Sequence, residues 1–329
     1  MPSVDWRAIV RRAARRPSPG RTTVAVATAA ASAAAMVAVG VVGVGTLAGR
    51  TLDADMLHGF TGLDRSAIDP AVRELALSVD PVPYACLGLA LVGICAARRR
   101  FWRAATVGAV LVGAGASAQL LKRLIASPRN PSFGDGFRVE DIGWPSGHAA
   151  AVTALAMCAV IASPPAWRGV VALAAGAYAV ALGFATLALT WHYPSEVLGG
   201  ILLAGVWGAS GLAVLARVEP SVPRRPAPPP PGRVIASGTV GALVAAALAY
   251  AAAVPVPIAG GDRAAMTVCA FAIAMSTLGL LVATVVAAPP DDEAGARGAS
   301  VRPRPRGDLV GRGQRRYDRD AISRSSCMW

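Results

Sequence analysis

The sequence predicts an all-α protein: a polytopic membrane helix bundle with a six-helix core and two additional helices toward the carboxyl end. Three observations lead there. Hydrophobic residues make up 54% of the chain but aromatics only 5%, a balance rare in soluble domains, and the apolar residues are Ala, Val, Leu and Gly gathered in long runs. Eight such runs follow one another, and a helix of about 20 apolar residues crosses a bilayer core. The arginines fall in the tails and between alternate runs, as expected if they mark the cytoplasmic side. In a soluble domain the net charge of +13 would suggest nucleic acid. Here the same charge fits loops facing an anionic membrane surface, so the bilayer is the expected partner and nucleic acid is not.

The elements follow in order. Residues 1–21 are a basic cytoplasmic tail with Arg11, Arg12, Arg15 and Arg16. The first helix runs from 22 to about 49, too long for a signal-peptide core, so it is read as uncleaved. Residues 50–81 form a mixed polar outer segment with Asp53, Asp55, His58, Asp64 and Asp69, including a short interfacial helix over 71–77. The second helix, 82–97, ends at Arg98-Arg99-Arg100, the strongest inside marker in the chain. The third covers 104 to about 126 and ends outside. Residues 127–147 are the longest polar break of the central region, with Gly134 and Gly136 marking a turn. The fourth helix starts at Gly147 and stops at Ser163-Pro164-Pro165, with Arg168 inside. The fifth, 169–191, returns outside, and the sixth, 195–216, comes back.

The membrane core therefore spans 22–216. Residues 217–233, with Arg224-Arg225 and a proline tract at 228–231, read as a stiff cytoplasmic linker. A two-helix hairpin follows over 234–288, with apolar runs at 234–254 and 265–288. The basic tail at 289–329 is too polar to bury a core. Both termini lie inside. Four of the five cysteines sit in apolar runs and Cys327 in the tail. Their odd number and lack of metal-ligand spacing make them small buried residues, not disulfide partners or ligands.

On this topology three polar pieces meet at one depth on the outer face. Lys122, the only lysine beside 31 arginines, lies in the last turns of the third helix, and Arg129 follows in the loop. Pro145-Ser146-Gly147-His148 opens the fourth helix, and His192-Tyr193-Pro194-Ser195-Glu196 joins the fifth to the sixth. Pro-Ser is a helix-start signature with serine available as a cap. Helix starts present free amides and a positive dipole end, which with Lys122 and Arg129 suit phosphate. Glu196, four residues after His192, can reach back to one ring nitrogen, fix the tautomer and make the other a nucleophile. His148 is placed to give a proton to a leaving oxygen. His58 has no such pattern and reads as a plain loop residue. Trp144, Trp191 and Tyr193 read as an interfacial aromatic belt.

Lys122, six residues, Arg129; Pro145-Ser146-Gly147-His148; His192, three residues, Glu196: this series resembles the type 2 phosphatidic acid phosphatase superfamily. That superfamily includes lipid phosphate phosphatases, bacterial undecaprenyl pyrophosphate phosphatases, glucose-6-phosphatase and vanadium haloperoxidases. The resemblance covers the core through 216. It implies that His192 attacks phosphorus to form a phosphohistidine, that Glu196 orients it, and that His148 protonates the leaving group. Lys122, Arg129, Ser146 and the Gly147 amide would hold the phosphoryl oxygens, with no metal and no cofactor. Three positions depart from the usual pattern. Asn130 separates Arg129 from Pro131, Ala185-Thr186 stands where Ser-Arg is usual, and Glu196 stands for aspartate. Arg123 and Arg138 are the nearest sequence candidates to replace the missing arginine.

The expected function is an integral-membrane phosphatase acting on a phosphorylated lipid or polyprenyl pyrophosphate at the outer face of a bacterial plasma membrane. The alternative is a weak relative that binds phosphorylated lipid without efficient turnover, motivated by Thr186 and Glu196. A small-solute transporter ranks last, because such proteins place polar residues near the bilayer midplane and these cluster at one surface.

Overall fold

The structure, a computed structural model, describes residues 19–60, 65–125, 143–219 and 263–289. Among them are nine helices and no strand: α1 Pro19–Gly43, α2 Leu47–His58, α3 Arg65–Leu77, α4 Pro81–Ala97, α5 Phe101–Leu124, α6 Gly147–Ala162, α7 Arg168–Ala188, α8 Pro194–Val218 and α9 Arg263–Ala287. Five of these (α1, α5, α7, α8 and α9) are long and apolar enough to cross a membrane. The end of α3 and α4, bent by 53°, make a sixth span when taken together, and α6 is a shorter apolar helix. The chain is thus the all-α membrane bundle expected. The helix expected over 234–254, the linker from 220 on and the tail from 290 on lie outside the described residues.

The amino-terminal part departs from the expectation. The first apolar run does not continue to 49. It breaks after Gly43, and Thr46 starts a new helix by accepting the Gly49 N–H at 3.0 Å. The polar segment after it holds α2 as well as the short helix expected over 71–77, which lies within α3, and it buries Asp53, Leu57 and Phe60. Composition hid this because short helices of mixed composition lack a long apolar run.

The helices α6 and α8 form the centre, with α1 along α8 and α5 and α7 flanking α6. Small residues allow this close packing, as membrane helices require. A Cβ on Gly200 of α8 would sit 2.4 Å from the Ser146 carbonyl oxygen and 2.9 Å from the Ala150 nitrogen, so only glycine lets α6 approach. The helix α9 packs against α7, α8 and α1, with Ile273 over Gly183 and Leu280 over Gly205.

At one end of the bundle, arginines satisfy helix carboxyl termini whose last carbonyls have no helical partner. Arg98 donates to the Ala162 carbonyl at 3.0 Å. Arg168 donates to the carbonyls of Ser163, Ala288 and Pro289 at 3.3, 3.1 and 2.7 Å. Arg103 pairs with Glu219 at 3.0 Å and also reaches the Pro289 carbonyl. The residues read only as topology markers are therefore also caps.

Candidate active site

The other end of the bundle collects the polar pieces. The helix α7 closes with Thr190 in the left-handed region (φ 58°), the Trp191 N–H bonded to the Thr186 carbonyl and the Thr190 N–H to that of Leu187. This turns the chain sharply and presents His192. Tyr193 is the N-cap of α8 and Pro194 opens the helix, where a missing N–H costs nothing. Glu196, at the third helical position, bends back to accept from the Tyr193 N–H at 3.3 Å and from His192 Nδ1 at 2.9 Å. A fully buried carboxylate and a nearly buried imidazole are thereby paired. With its proton on Nδ1, His192 presents Nε2 as a lone pair.

That Nε2 faces His148 Nδ1 at 3.4 Å. The second nitrogen of His148, Nε2, lies 3.3 Å from Asp80 Oδ1. Four side chains thus form one row: Asp80, His148, His192, Glu196. The Trp191 ring, 5.7 Å from that of His148, walls one side. Ser146 caps α6 by accepting from the Ala149 N–H at 3.3 Å, is fully buried, and donates its own N–H to the Glu196 carbonyl at 2.9 Å. The starts of α6 and α8 are thus tied together. The Lys122 ammonium lies beside Gly147, 3.7 Å from where a Cβ there would be, with Gln119 at the same distance. Five of the six expected functional side chains, His192, His148, Glu196, Ser146 and Lys122, and the Gly147 backbone therefore converge. Arg129 lies outside the described residues, as does Arg138. Arg123 is exposed on α5.

Several expectations are corrected. Ser195 does not cap α8. It sits at the second helical position, where its N–H and hydroxyl donate to the Asp53 carboxylate at 2.8 and 2.5 Å. Asp53, from α2, is the acid at this helix start, which the dipole favours. Trp144 and Tyr193 are buried in the bundle, not set in an interfacial belt. The Trp144 ring fills notches at Gly40 of α1 and Gly199 of α8, where a Cβ would lie 2.8 Å from the ring. His58 is the last residue of α2 rather than a loop residue. Thr186 is fully buried and its hydroxyl donates back to the Gly183 carbonyl at 2.8 Å, so it offers no donor to the site. Among the described residues no group of three or more His, Cys, Asp or Glu is arranged to hold a metal ion.

Sequence reasoning missed Asp53, Asp80 and Gly143. A Cβ on Gly143 would stand 2.2 Å from Glu196 Oε1, so the backbone there lies directly against the carboxylate. A signal for Asp80 existed. In Asp80-Pro81-Val82-Pro83 the first and third helical residues have no N–H, so an N-cap aspartate finds little to cap. Its carboxylate makes no cap bond and is turned toward His148.

The fold and this row define a helical membrane protein with a centre of two histidines and two carboxylates at one end of its bundle. Residues 103–219, which contain all three motif pieces, match the family described as the PAP2 superfamily. No curated protein and no solved structure matches the chain.

Proposed function

We propose that the protein hydrolyses a lipid phosphate or polyprenyl pyrophosphate at the outer face of a bacterial plasma membrane, through a phosphohistidine on His192. The observation that carries this reading is the His148–His192–Glu196 row beside Lys122 and the α6 start. His192 Nε2 attacks phosphorus while the P–O bond to the leaving group breaks, and that oxygen takes the proton from His148 Nδ1. Water then attacks phosphorus, the N–P bond breaks, His148 takes the water proton, and phosphate leaves. The Gly147 amide, Lys122 and Arg129 hold the oxygens on which charge develops. Ser146, whose lone pair serves the Ala149 amide, supplies its hydroxyl proton. The outward orientation is supported by the arginines gathered at the opposite end.

The test is phosphate release from phosphatidate and from undecaprenyl pyrophosphate by purified protein in detergent and chelator. Wild type should exceed His192→Ala by at least about 10³-fold. It should also trap an acid-labile phosphoprotein that the variant lacks. Equal rates would overturn the reading.

One observation favours the second reading, a weak phosphate-lipid binder: Thr186, at the position of the usual arginine, is buried and turned back on its own helix. Loss of a charge-assisted contact to the transition state lowers the rate steeply. On that reading Thr186→Arg speeds the protein at least about tenfold, whereas a wild type already faster than the variant excludes it.

A further inference from the structure

We propose that Asp80 is the positioning carboxylate of His148, so that the site contains two opposed carboxylate–imidazole pairs with different tasks. The inference rests on the phosphatase reading above and adds a residue from outside the three motif pieces and outside the matched segment. Asp80 lies at the corner where α3 bends into α4. Its backbone is fixed by an N–H bond to the Leu77 carbonyl at 3.0 Å, and the corner is anchored to α7 by a hydrogen bond between the Ser78 and Tyr178 hydroxyls. Pro83 removes one of the two amides that an N-cap carboxylate serves, and Asp80 makes no cap bond to the other. What remains is the bond to His148 Nε2 at 3.3 Å.

The consequence is chemical. Accepting from Nε2–H turns the His148 ring so that Nδ1 points at His192, where the phosphoryl group must sit. Burial, His192 and Lys122 all disfavour a His148 ring carrying both protons, and the hydrogen bond and negative charge of Asp80 are what oppose them. Glu196 does the opposite for His192: it leaves Nε2 bare for attack. One carboxylate therefore serves the nucleophile and the other serves the proton donor. A donor matters most when the leaving group is a poor one, because an alkoxide cannot depart without its proton and a nitrophenolate can.

Asp80→Ala and Asp80→Asn are assayed on phosphatidate and on p-nitrophenyl phosphate. For Asp80→Ala, kcat falls about 30-fold on phosphatidate and less than about threefold on p-nitrophenyl phosphate, with KM nearly unchanged on both. Asp80→Asn, which keeps an acceptor oxygen without the charge, loses less. Equal losses on the two substrates, or no loss, overturn the inference. If wild type turns over neither substrate, the phosphatase reading fails instead. ¹⁵N NMR of the imidazoles then decides, since the chain has only three histidines. The hydrogen-bonded Nε2–H signal of His148 should be lost in Asp80→Ala while the Nδ1–H signal of His192 stays. An unchanged His148 signal overturns the inference without any turnover.

Discussion

Gly143→Ala tests the centre of the site by a single methyl group. The added Cβ would meet Glu196 Oε1 at 2.2 Å and its Cδ and Oε2 at 2.3 Å, where ordinary contacts begin at 3.4 Å. About 1 Å must therefore open somewhere. The backbone at 143 has little freedom to retreat. The next residue, Trp144, is wedged between Gly40 and Gly199, and the Ser146 N–H is bonded to the Glu196 carbonyl at 2.9 Å. The carboxylate must yield instead, away from His192 Nδ1 and the Tyr193 N–H that it holds at 2.9 and 3.3 Å. A misplacement of about 1 Å in a catalytic constellation costs about 10²-fold. We expect kcat for phosphate release to drop by about that factor with KM little changed. The overpacking should cost about 1–3 kcal/mol in detergent unfolding. A folded variant with kcat within threefold of wild type would refute the reasoning. The double variant with Glu196→Asp adds a second check. The shorter acid vacates the space the methyl needs, so it should turn over faster than Gly143→Ala alone, and simple additivity would count against the clash.

Two further outcomes follow from other buried contacts. Asp53→Ala removes the acceptor of the Ser195 N–H and hydroxyl and should cost about 2 kcal/mol in unfolding, with a parallel loss of activity because Ser195 precedes Glu196. Asp53→Asn should recover much of this, and an unchanged unfolding midpoint for Asp53→Ala would contradict it. Arg168→Ala removes donors from the Ser163 and Ala288 carbonyls and leaves that of Pro289 to Arg103, and should cost about 3 kcal/mol while leaving kcat unchanged at permissive temperature. Arg168→Lys should not rescue it, since a single ammonium cannot match the forked guanidinium, and full rescue would show that charge alone matters.

The helices and most of the site were legible because both signals are local. An apolar run bounded by arginine marks a span wherever its neighbours lie. A histidine and an acid four residues apart share one helix start whatever the rest does. What was not legible depends on partners distant in sequence. Asp53 and Asp80 look like solvated acids of a loop until the chain brings Ser195 and His148 against them, 142 and 68 residues away. Trp144 reads as an interfacial aromatic because the notches that receive it are single glycines in two other helices. Ser195 reads as a cap because Pro-Ser is a cap pattern. The competing contact comes from α2, a helix whose mixed composition hid it.

The row of rings also fixes which part of the site must move. In-line transfer places phosphorus about 3 Å from the attacking nitrogen and the leaving oxygen about 3 Å from the donor, so the two nitrogens end roughly 6–7 Å apart. Here they are 3.4 Å apart. The rings must therefore part by about 3 Å when a phosphoryl group enters. His192 is the poor candidate to move. Its side chain is 9% exposed, and Glu196, which holds it, is fully buried, pressed by Gly143 and fixed in the first turn of α8. His148 is 26% exposed and its partner Asp80 is 43% exposed at a bend between two helices. The nucleophile is thus built into the rigid centre of the bundle and the proton donor into its compliant edge. Vanadate, which takes up the five-coordinate shape of phosphoryl transfer, should bind with His192 shifted by less than about 1 Å and His148 by about 3 Å. A vanadate complex in which His192 moves and His148 stays would reverse this assignment.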